Sequence, residues 1–358
     1  MSHYIFDLSN PDDMDIYSEI VPNEFKKYFL FEGMELSNNI SKNKRLCFVF
    51  QEGGNLCIYH FIKKQVPLFG NLKSIKYYDI SGEYGYNGPV IVNGDNFFIK
   101  KFIQVFKQYC KEENIIAEFI RFNSILENHR DFTEINSIKV NQQIVIDLRR
   151  DDIYDKCYEY STRKNIKKAE RNNLICKIYS CNQMTSKLAS DFHEVYINTM
   201  ERNQANKEYY YSLGYFENIR NRYPDKALFV FVYQEKKVVS MELILHNEYM
   251  GFSYLGGTDS KYYNCRPNDY LKHNIIFYLK EKGVYFFNMG GGHEINDGIF
   301  KYKKNFCIDG VFDYYIGRVI HNQTTYDQIV NSWKGVTCID DINKYDNYLL
   351  KYHFGSKI

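Results

Sequence analysis

No run of apolar residues in this chain approaches the roughly 18 that a membrane-spanning helix needs. The first ten residues, MSHYIFDLSN, have neither the basic nor the apolar region of a secretion signal. Charge of one sign is also lacking. With 46 Lys and Arg against 44 Asp and Glu, the net charge is +2, so no global field gathers nucleic acid or anionic membrane, and a polyanion would need a local cluster. The nine cysteines are scattered, odd in number and never spaced C-x-x-C. A disulfide framework and a zinc site are therefore not expected, and a soluble protein of the reducing cytoplasm is. G-x-x-x-x-G-K-[ST], a nucleophile elbow and H-E-x-x-H are all missing. Nothing points to a covalent Ser or Cys mechanism.

What is present is an ordinary globular composition, 44% hydrophobic and 25% charged, over 358 residues, which is enough for two domains. The unusual part is 34 Tyr and 27 Phe against one Trp. Some of these tyrosines are suited to line a groove for a polar ligand, because each offers a flat apolar face and a hydroxyl tip.

Hydrophobic periodicity predicts strands at 45–50 and 55–61, a helix at 95–114, and strands at 115–122 and 141–148. This set makes one α/β unit. A second starts near 151: a helix at 160–172, a strand at 174–180, and helices at 185–201 and 208–223. Strands follow at 227–234, 238–246 and 249–255, then a helix at 268–282, a strand at 284–289, a short helix at 297–305 and a strand at 311–319. The tail, 324–358, is polar with two short helical patterns. The expected division is 1–150, 151–320 and a tail 321–358 packed on the core.

The most informative stretch is NMGGGHEINDGIFKYKKNF, residues 288–306. A strand runs into Gly290, Gly291 and Gly292, and an amphipathic segment with Lys301, Lys303 and Lys304 follows. Glycines at such a turn let backbone N–H groups approach a ligand closely. The plainer alternative is a tight strand-to-helix turn before a solvated basic helix. His293 and Glu294, beside the glycines, are candidates for ligand contact, and Asp297 is placed to cap the short helix.

The densest charge cluster is STRKNIKKAER, residues 161–171. Arg163, Lys167 and Arg171 fall on one helical face, with Lys164 and Lys168 beside it. Either a phosphate ligand or water relieves their repulsion. In SGEYGYNGP, residues 81–89, three glycines surround Tyr84, Tyr86 and Asn87. That loop is either a ligand contact or a structural turn. Glu242, in the middle of a predicted strand, is a general-base candidate if partial burial raises its pKa, or else a neutralised strand position.

Four of these segments together resemble the Fem-type aminoacyltransferases and related FemAB-like proteins of the GNAT superfamily. RKNIKKAERNNL resembles their R-x-N-I-x-K-A-x-x-x-G-V segment, with Asn173 in place of Gly. GEYGYNGPV resembles Y-G-Y-x-G-P, and YINTMERNQANKEYY, which carries Arg202, resembles Y-x-x-T-M-x-R-x-x-A-x-x-x-Y. The glycines with Asp297, Ile299, Tyr302, Lys303 and Phe306 resemble G-G-G…D-x-L-x-x-F-K-x-x-F. The likeness covers about residues 40–320, in the family's order. It lacks the coiled-coil arm of some members.

The resemblance implies an α/β (α+β) protein of two tandem GNAT-like domains, each a mostly antiparallel sheet flanked by helices. It implies an N-acyltransferase that moves an acyl or aminoacyl group to an amine of a cell-wall precursor, amino sugar or polysaccharide intermediate, without an acyl-enzyme. By the resemblance Lys303 would lie at the reaction centre with Tyr302 in place of Phe; Glu242 is the base candidate from the residue pattern alone. Gly290, Gly291, Gly292, His293 and Lys301 would hold the donor. Arg163, Asn165, Lys167, Lys168, Tyr84, Tyr86, Asn87 and Arg202 would hold the acceptor or its phosphates. No cofactor is bound permanently; the co-substrate is aminoacyl-tRNA or acyl-CoA. The simple GNAT pyrophosphate signature, Q/R-x-x-G-x-G/A, is absent from residues 257–272, which favours the charged tRNA. Partners are then a small or lipid-linked glycan acceptor and the tRNA acceptor end, with room for peripheral membrane contact and no DNA. A non-catalytic scaffold binding a nucleotide-sugar or glycan is the competing reading.

Overall fold

The computed structural model describes residues 2–23, 43–67, 69, 75–82, 86 and 88–355. Contacts divide the chain into two compact units, residues 1–140 with 314–358, and residues 141–313. The divisions thus fall at 140/141 and 313/314 rather than at 150/151 and 320/321.

In the first unit the strands are β1 (Ser2–Asp7), β2 (Lys44–Glu52), β3 (Asn55–Gln65), β4 (Tyr78–Ser81), β5 (Val90–Asn93) and β6 (Ile115–Arg121), with the end of β13 (Val311–Ile320). They pair in the order β1-β2-β3-β4-β6-β13, and β5 adds to β3. All pairs are antiparallel except β4–β6. Helix α1 (Pro11–Ile20) packs Tyr17 against Phe6, Val49 and Ile58. On a separate core lies α2 (Asn96–Glu112), capped by the Asp95 carboxylate, which accepts from Phe97 N at 3.0 Å and Phe98 N at 2.9 Å. Its aromatic stripe follows helical spacing and meets alternate residues of β2, with Phe50–Phe98 and Phe48–Phe106 ring centroids 5.1 Å apart. Strands β1, β4 and β5 and helix α1 lie in stretches with no sequence expectation, because each is short and weakly periodic.

The tail belongs to this unit. Helices α8 (Gln323–Val336) and α9 (Ile339–Tyr345) follow β13, and Ile329, Trp333 and Tyr352 pack on Val66, Phe69 and Ile116. Two buried carboxylates on neighbouring strands hold the segment down. Asp79 accepts from Tyr352 Oη at 2.9 Å and pairs with His353 Nε2 at 2.8 Å. Glu118 accepts from Tyr59 Oη at 2.7 Å and pairs with His321 Nε2 at 3.0 Å. A carboxylate taken out of water needs such partners. Burial still pushes the Asp79 carboxyl up, against the hydrogen bonds of His353 and Tyr352.

The second unit carries the end of β7 (Ser137–Asp147), then β8 (Leu174–Ser180), β9 (Ala227–Gln234), β10 (Lys237–His246), β11 (Met250–Thr258) and β12 (Phe286–Gly290), paired as β7-β12-β11-β10-β9-β8. Only β11–β12 is parallel. Helices α3 (Tyr160–Arg171) and α6 (Pro267–Glu281) bury Ile166, Ala169, Leu271, Ile275 and Leu279 against Val230, Val232, Ile244 and Phe287. Helices α4 (Ser186–Arg202) and α5 (Leu213–Arg222) meet through Phe192 and Phe216, 5.0 Å apart, and Phe192 reaches Phe229 at 5.3 Å. The expected helix at 208–223 is instead a 3₁₀ turn, Lys207–Tyr209, and the shorter α5. Asn173 takes a left-handed φ of +55° after α3, which a short polar side chain tolerates in place of glycine.

Trp333→Ala removes the largest side chain anchoring the tail and should cost about 3–5 kcal/mol. Urea unfolding followed by tyrosine fluorescence and circular dichroism checks this. A loss below about 1 kcal/mol would mean that the tail lies outside the cooperative unit.

Candidate functional site

Strands β11 and β12 pair over Met250–Phe286, Gly251–Phe287 and Phe252–Asn288 only. Beyond Phe252, β11 continues to Thr258 without β12 beside it, so a notch opens in the sheet of this unit. The other edge of β12 stays on β7, with a register slip between Asn288 and Gly290. Buried Asn288 holds that slip. Its Nδ2 donates to Gln143 Oε1 at 3.0 Å, and its Oδ1 accepts from Gly290 N at 2.7 Å.

The three glycines are sterically required. Gly290 has φ +71°, a side chain on Gly291 would run into the Gln142 carbonyl, and one on Gly292 would run into the Asp297 carboxylate. Asp297 caps α7 (Gly298–Lys304), accepting from Phe300 N and His293 N at 2.7 Å each and Glu294 N at 3.2 Å. These backbone donors, Phe300 first, hold its carboxyl below the usual range. The Gly290 N–H is consumed by Asn288. The Gly291 and Gly292 N–H groups make no hydrogen bond among the described residues.

One turn into α7, Lys303 turns its ammonium back onto the Gly291 carbonyl at 2.7 Å. Burial, and then the charge of Lys272, bring its pKa down to about 8. The hydroxyl of the preceding residue, Tyr302, is buried with no hydrogen-bond partner among the described residues. Burial pushes it well above its ordinary pKa, and the negative charges of Asp269 and Glu242 add to that.

Glu242 lies on β10 and is buried. It accepts from Lys272 Nζ on α6 and from Ser253 Oγ, at the residue where β11 and β12 part. Lys272 Nζ also donates to Ser253 Oγ at 2.8 Å. The same helix carries Asp269, whose carboxyl burial pushes up; Asn165 of α3 donates to it at 3.1 Å. Glu242 is therefore a neutralised partner of an ammonium and not a free carboxylate. Ser253 Oγ is held between the Glu242 carboxylate, to which it donates, and Lys272 Nζ, from which it accepts.

Sequence reading missed Lys272, Ser253 and Asp269. A signal was available: Asp269 and Lys272 interrupt, at helical spacing, the otherwise apolar face of Leu271, Ile275, Ile276 and Leu279.

The basic cluster divides. Arg163 Nη1 donates to the carbonyls of Tyr154, Asp155 and Tyr158 at 3.3, 2.8 and 2.8 Å, closing the π-turn Ile153–Cys157 ahead of α3. Its Nη1 is committed to backbone, so although Arg163, Lys167 and Arg171 share one face of α3 as expected, that edge of the guanidinium is turned back to the chain. Lys167 and Lys168 are exposed and have no side-chain partner among the described residues. Arg202 donates to the Thr258 carbonyl at 2.8 Å and lies 5.5 Å over the Tyr263 ring. It lines a cleft of about 1040 Å³ with Lys187, Asp191, Glu194, Lys237 and Asp259. His293 and Lys301 are exposed beside the glycine bend. Tyr86 belongs to the first unit, edge-on to Tyr314 at 5.4 Å. Tyr84 and Asn87 lie outside the described residues.

The FemAB-like family profile, described as peptidoglycan biosynthesis/recognition, matches residues 95–278, just over half of the chain. Among solved structures, FemX superposes with a TM-score of 0.64 at 13% identity, covering 92% of this chain and 100% of its own. A conserved protein of unknown function from Bacteroides thetaiotaomicron gives 0.51 at 10% identity, over 74% and 86% of the two chains. The C-terminal domain of a candidate lysylphosphatidylglycerol synthetase from Agrobacterium fabrum gives 0.50 at 12%, over 81% and 89%. At such identities the likeness is one of fold. No curated protein sequence matches the chain.

Two measurements check the electrostatics. The rate at which trinitrobenzenesulfonate labels Lys303, followed by peptide mass spectrometry, should rise through pH 8, where an unperturbed lysine waits until about 10.4. Lys272→Met, which strands the Glu242 charge, should destabilise by about 3–5 kcal/mol, and adding Glu242→Leu should restore most of that. Additive losses would mean that the two groups are not coupled.

Proposed function

The chain belongs to the FemAB-like family of peptidoglycan biosynthesis and recognition, and on that footing we propose that it is an N-acyltransferase working at the notch between β11 and β12. The observation that carries this reading is Lys303 Nζ on the Gly291 carbonyl, with the hydroxyl of the preceding residue, Tyr302, buried and without a hydrogen-bond partner among the described residues. An unsatisfied buried hydroxyl is costly, and a ligand atom would relieve it.

In the proposed reaction an acceptor amine attacks the carbonyl of an aminoacyl ester. The new N–C bond forms, the C–O bond to the ribose breaks, and the amine proton ends on the departing hydroxyl. The Lys303 ammonium and the free N–H groups of Gly291 and Gly292 stabilise the oxyanion. Tyr302, whose proton is held tightly, donates a hydrogen bond without ionising. Glu242 holds Lys272 in place instead of serving as base. Direct attack fits a notch in which Ser253 is tied to Glu242 and Lys272.

Residues 257–272 lack the glycines of a CoA-pyrophosphate loop, which supports charged tRNA over acyl-CoA as donor. Lys167 and Lys168, exposed on α3, would meet its phosphates, and the acceptor would be a peptidoglycan precursor amine. No helix among the described residues is long and apolar enough to cross a membrane; we place the reaction in the cytoplasm, with a soluble or lipid-linked acceptor.

Lys303→Ala should lower turnover at least about 10²-fold with an unchanged melting temperature, measured by transfer of a labelled amino acid from charged tRNA. Turnover near wild type would remove Lys303 from the chemistry. Donor at 100 times its Kd should add about 2.7 kcal/mol of stability; protection by an acyl-CoA and not by charged tRNA would reassign the donor.

A further inference from the structure

Outside the notch, the second unit brings together two cysteines and a carboxylate that are far apart in sequence. Cys157 closes the π-turn Ile153–Cys157, while Cys307 and Asp309 lie in the turn after α7. Their sulfur and carboxylate oxygen atoms lie within 4.8 Å of one another. Both thiols are buried, and Asp309 reaches the surface.

The cluster is held from several sides. Cys307 Sγ donates to Asp309 Oδ1 at 3.3 Å, and Arg150 Nη1 takes the other oxygen at 2.7 Å, so that Oδ1 stays turned toward the thiols. The two turns are joined by backbone: Ile308 N donates to the Cys157 carbonyl at 3.2 Å, and Glu159 N to the Asn305 carbonyl at 2.8 Å. A side chain on Gly310 would run first into the Val145 carbonyl and then into Cys307 Sγ, so the turn behind the cluster is packed tightly on β7.

We propose that Cys157, Cys307 and Asp309 form a site for a thiophilic divalent cation, zinc by preference. Two sulfurs and one oxygen suit a tetrahedral ion of this class, with water in the fourth position on the open Asp309 side. Zinc–sulfur bonds of about 2.3 Å and zinc–oxygen bonds of about 2.1 Å set ligand atoms roughly 3.4–3.8 Å apart, so the cluster needs to contract by only about 1 Å. Two thiol protons leave for solvent as the ion enters, and the single negative charge left on the filled site is balanced by Arg150. The ion would tie the turn ahead of α3 to the turn behind α7. This inference is independent of the acyl-transfer reading.

The test uses the full chain, reduced, metal-free and carrying Cys338→Ser to remove the exposed thiol. One equivalent of Co²⁺ should give a thiolate-to-cobalt charge-transfer band and tetrahedral visible bands, which Zn²⁺ abolishes. Zinc should also raise the melting temperature. Cys157→Ser and Cys307→Ser should each lose the band, while Cys176→Ser keeps it. Should the two buried-cysteine variants not fold, Asp309→Asn at the surface should weaken zinc at least about tenfold. No band in the parent, a band that survives both serine variants, or unchanged zinc affinity in Asp309→Asn would overturn the site.

Discussion

Strand β12 can lie against β11 for three residue pairs and no further, and the chemistry of the second unit depends on that limit. Past Phe252 the facing backbone edges of the two strands no longer satisfy each other. A break in a buried sheet needs polar groups to fill it. At the point of parting Ser253, Glu242 and Lys272 bond one another, and the glycine bend carries β12 away toward α7. Lys303 then meets the bend from the helix side. The notch, the buried ion pair and the lysine of lowered pKa are therefore one construction.

The ion pair in this construction is costly to desolvate and is not itself a source of stability. It places a fixed ammonium about the apex of the notch, and that charge helps push the Lys303 pKa down. A site that both buries a lysine and sets a second lysine near it shifts the proton equilibrium of the first without any bound ligand. The first unit uses buried carboxylates differently. Asp79 and Glu118 each take a histidine and a tyrosine, and three of these four partners come from residues 321–353, so the polar network fastens the tail.

Much of this was legible beforehand. The aromatic stripe of α2, the meander β9–β10–β11 and the glycine bend all follow from periodicity or from glycine's freedom, which are local properties. For Arg163, helical spacing reports the face shared with Lys167 and Arg171 but not that its Nη1 turns back onto three carbonyls. Glu242 was seen as a carboxylate in an apolar strand, while its neutralising partner lies thirty residues on, in the next α-helix. Cysteine spacing argued against a metal, yet Cys157 and Cys307 meet because α3 and α7 bring two distant turns together.

The sequence by itself determined the mixed α/β class, the order of most elements, the strand–glycine–helix bend and the lysine behind it. Each is written in spacing over a few residues, and backbone sterics act over that range. The tertiary structure alone decided which charges are spent on partners, which hydroxyl is left without one, and how far β12 stays with β11. Those outcomes depend on through-space contacts between segments scores of residues apart, and on burial, which no local pattern encodes.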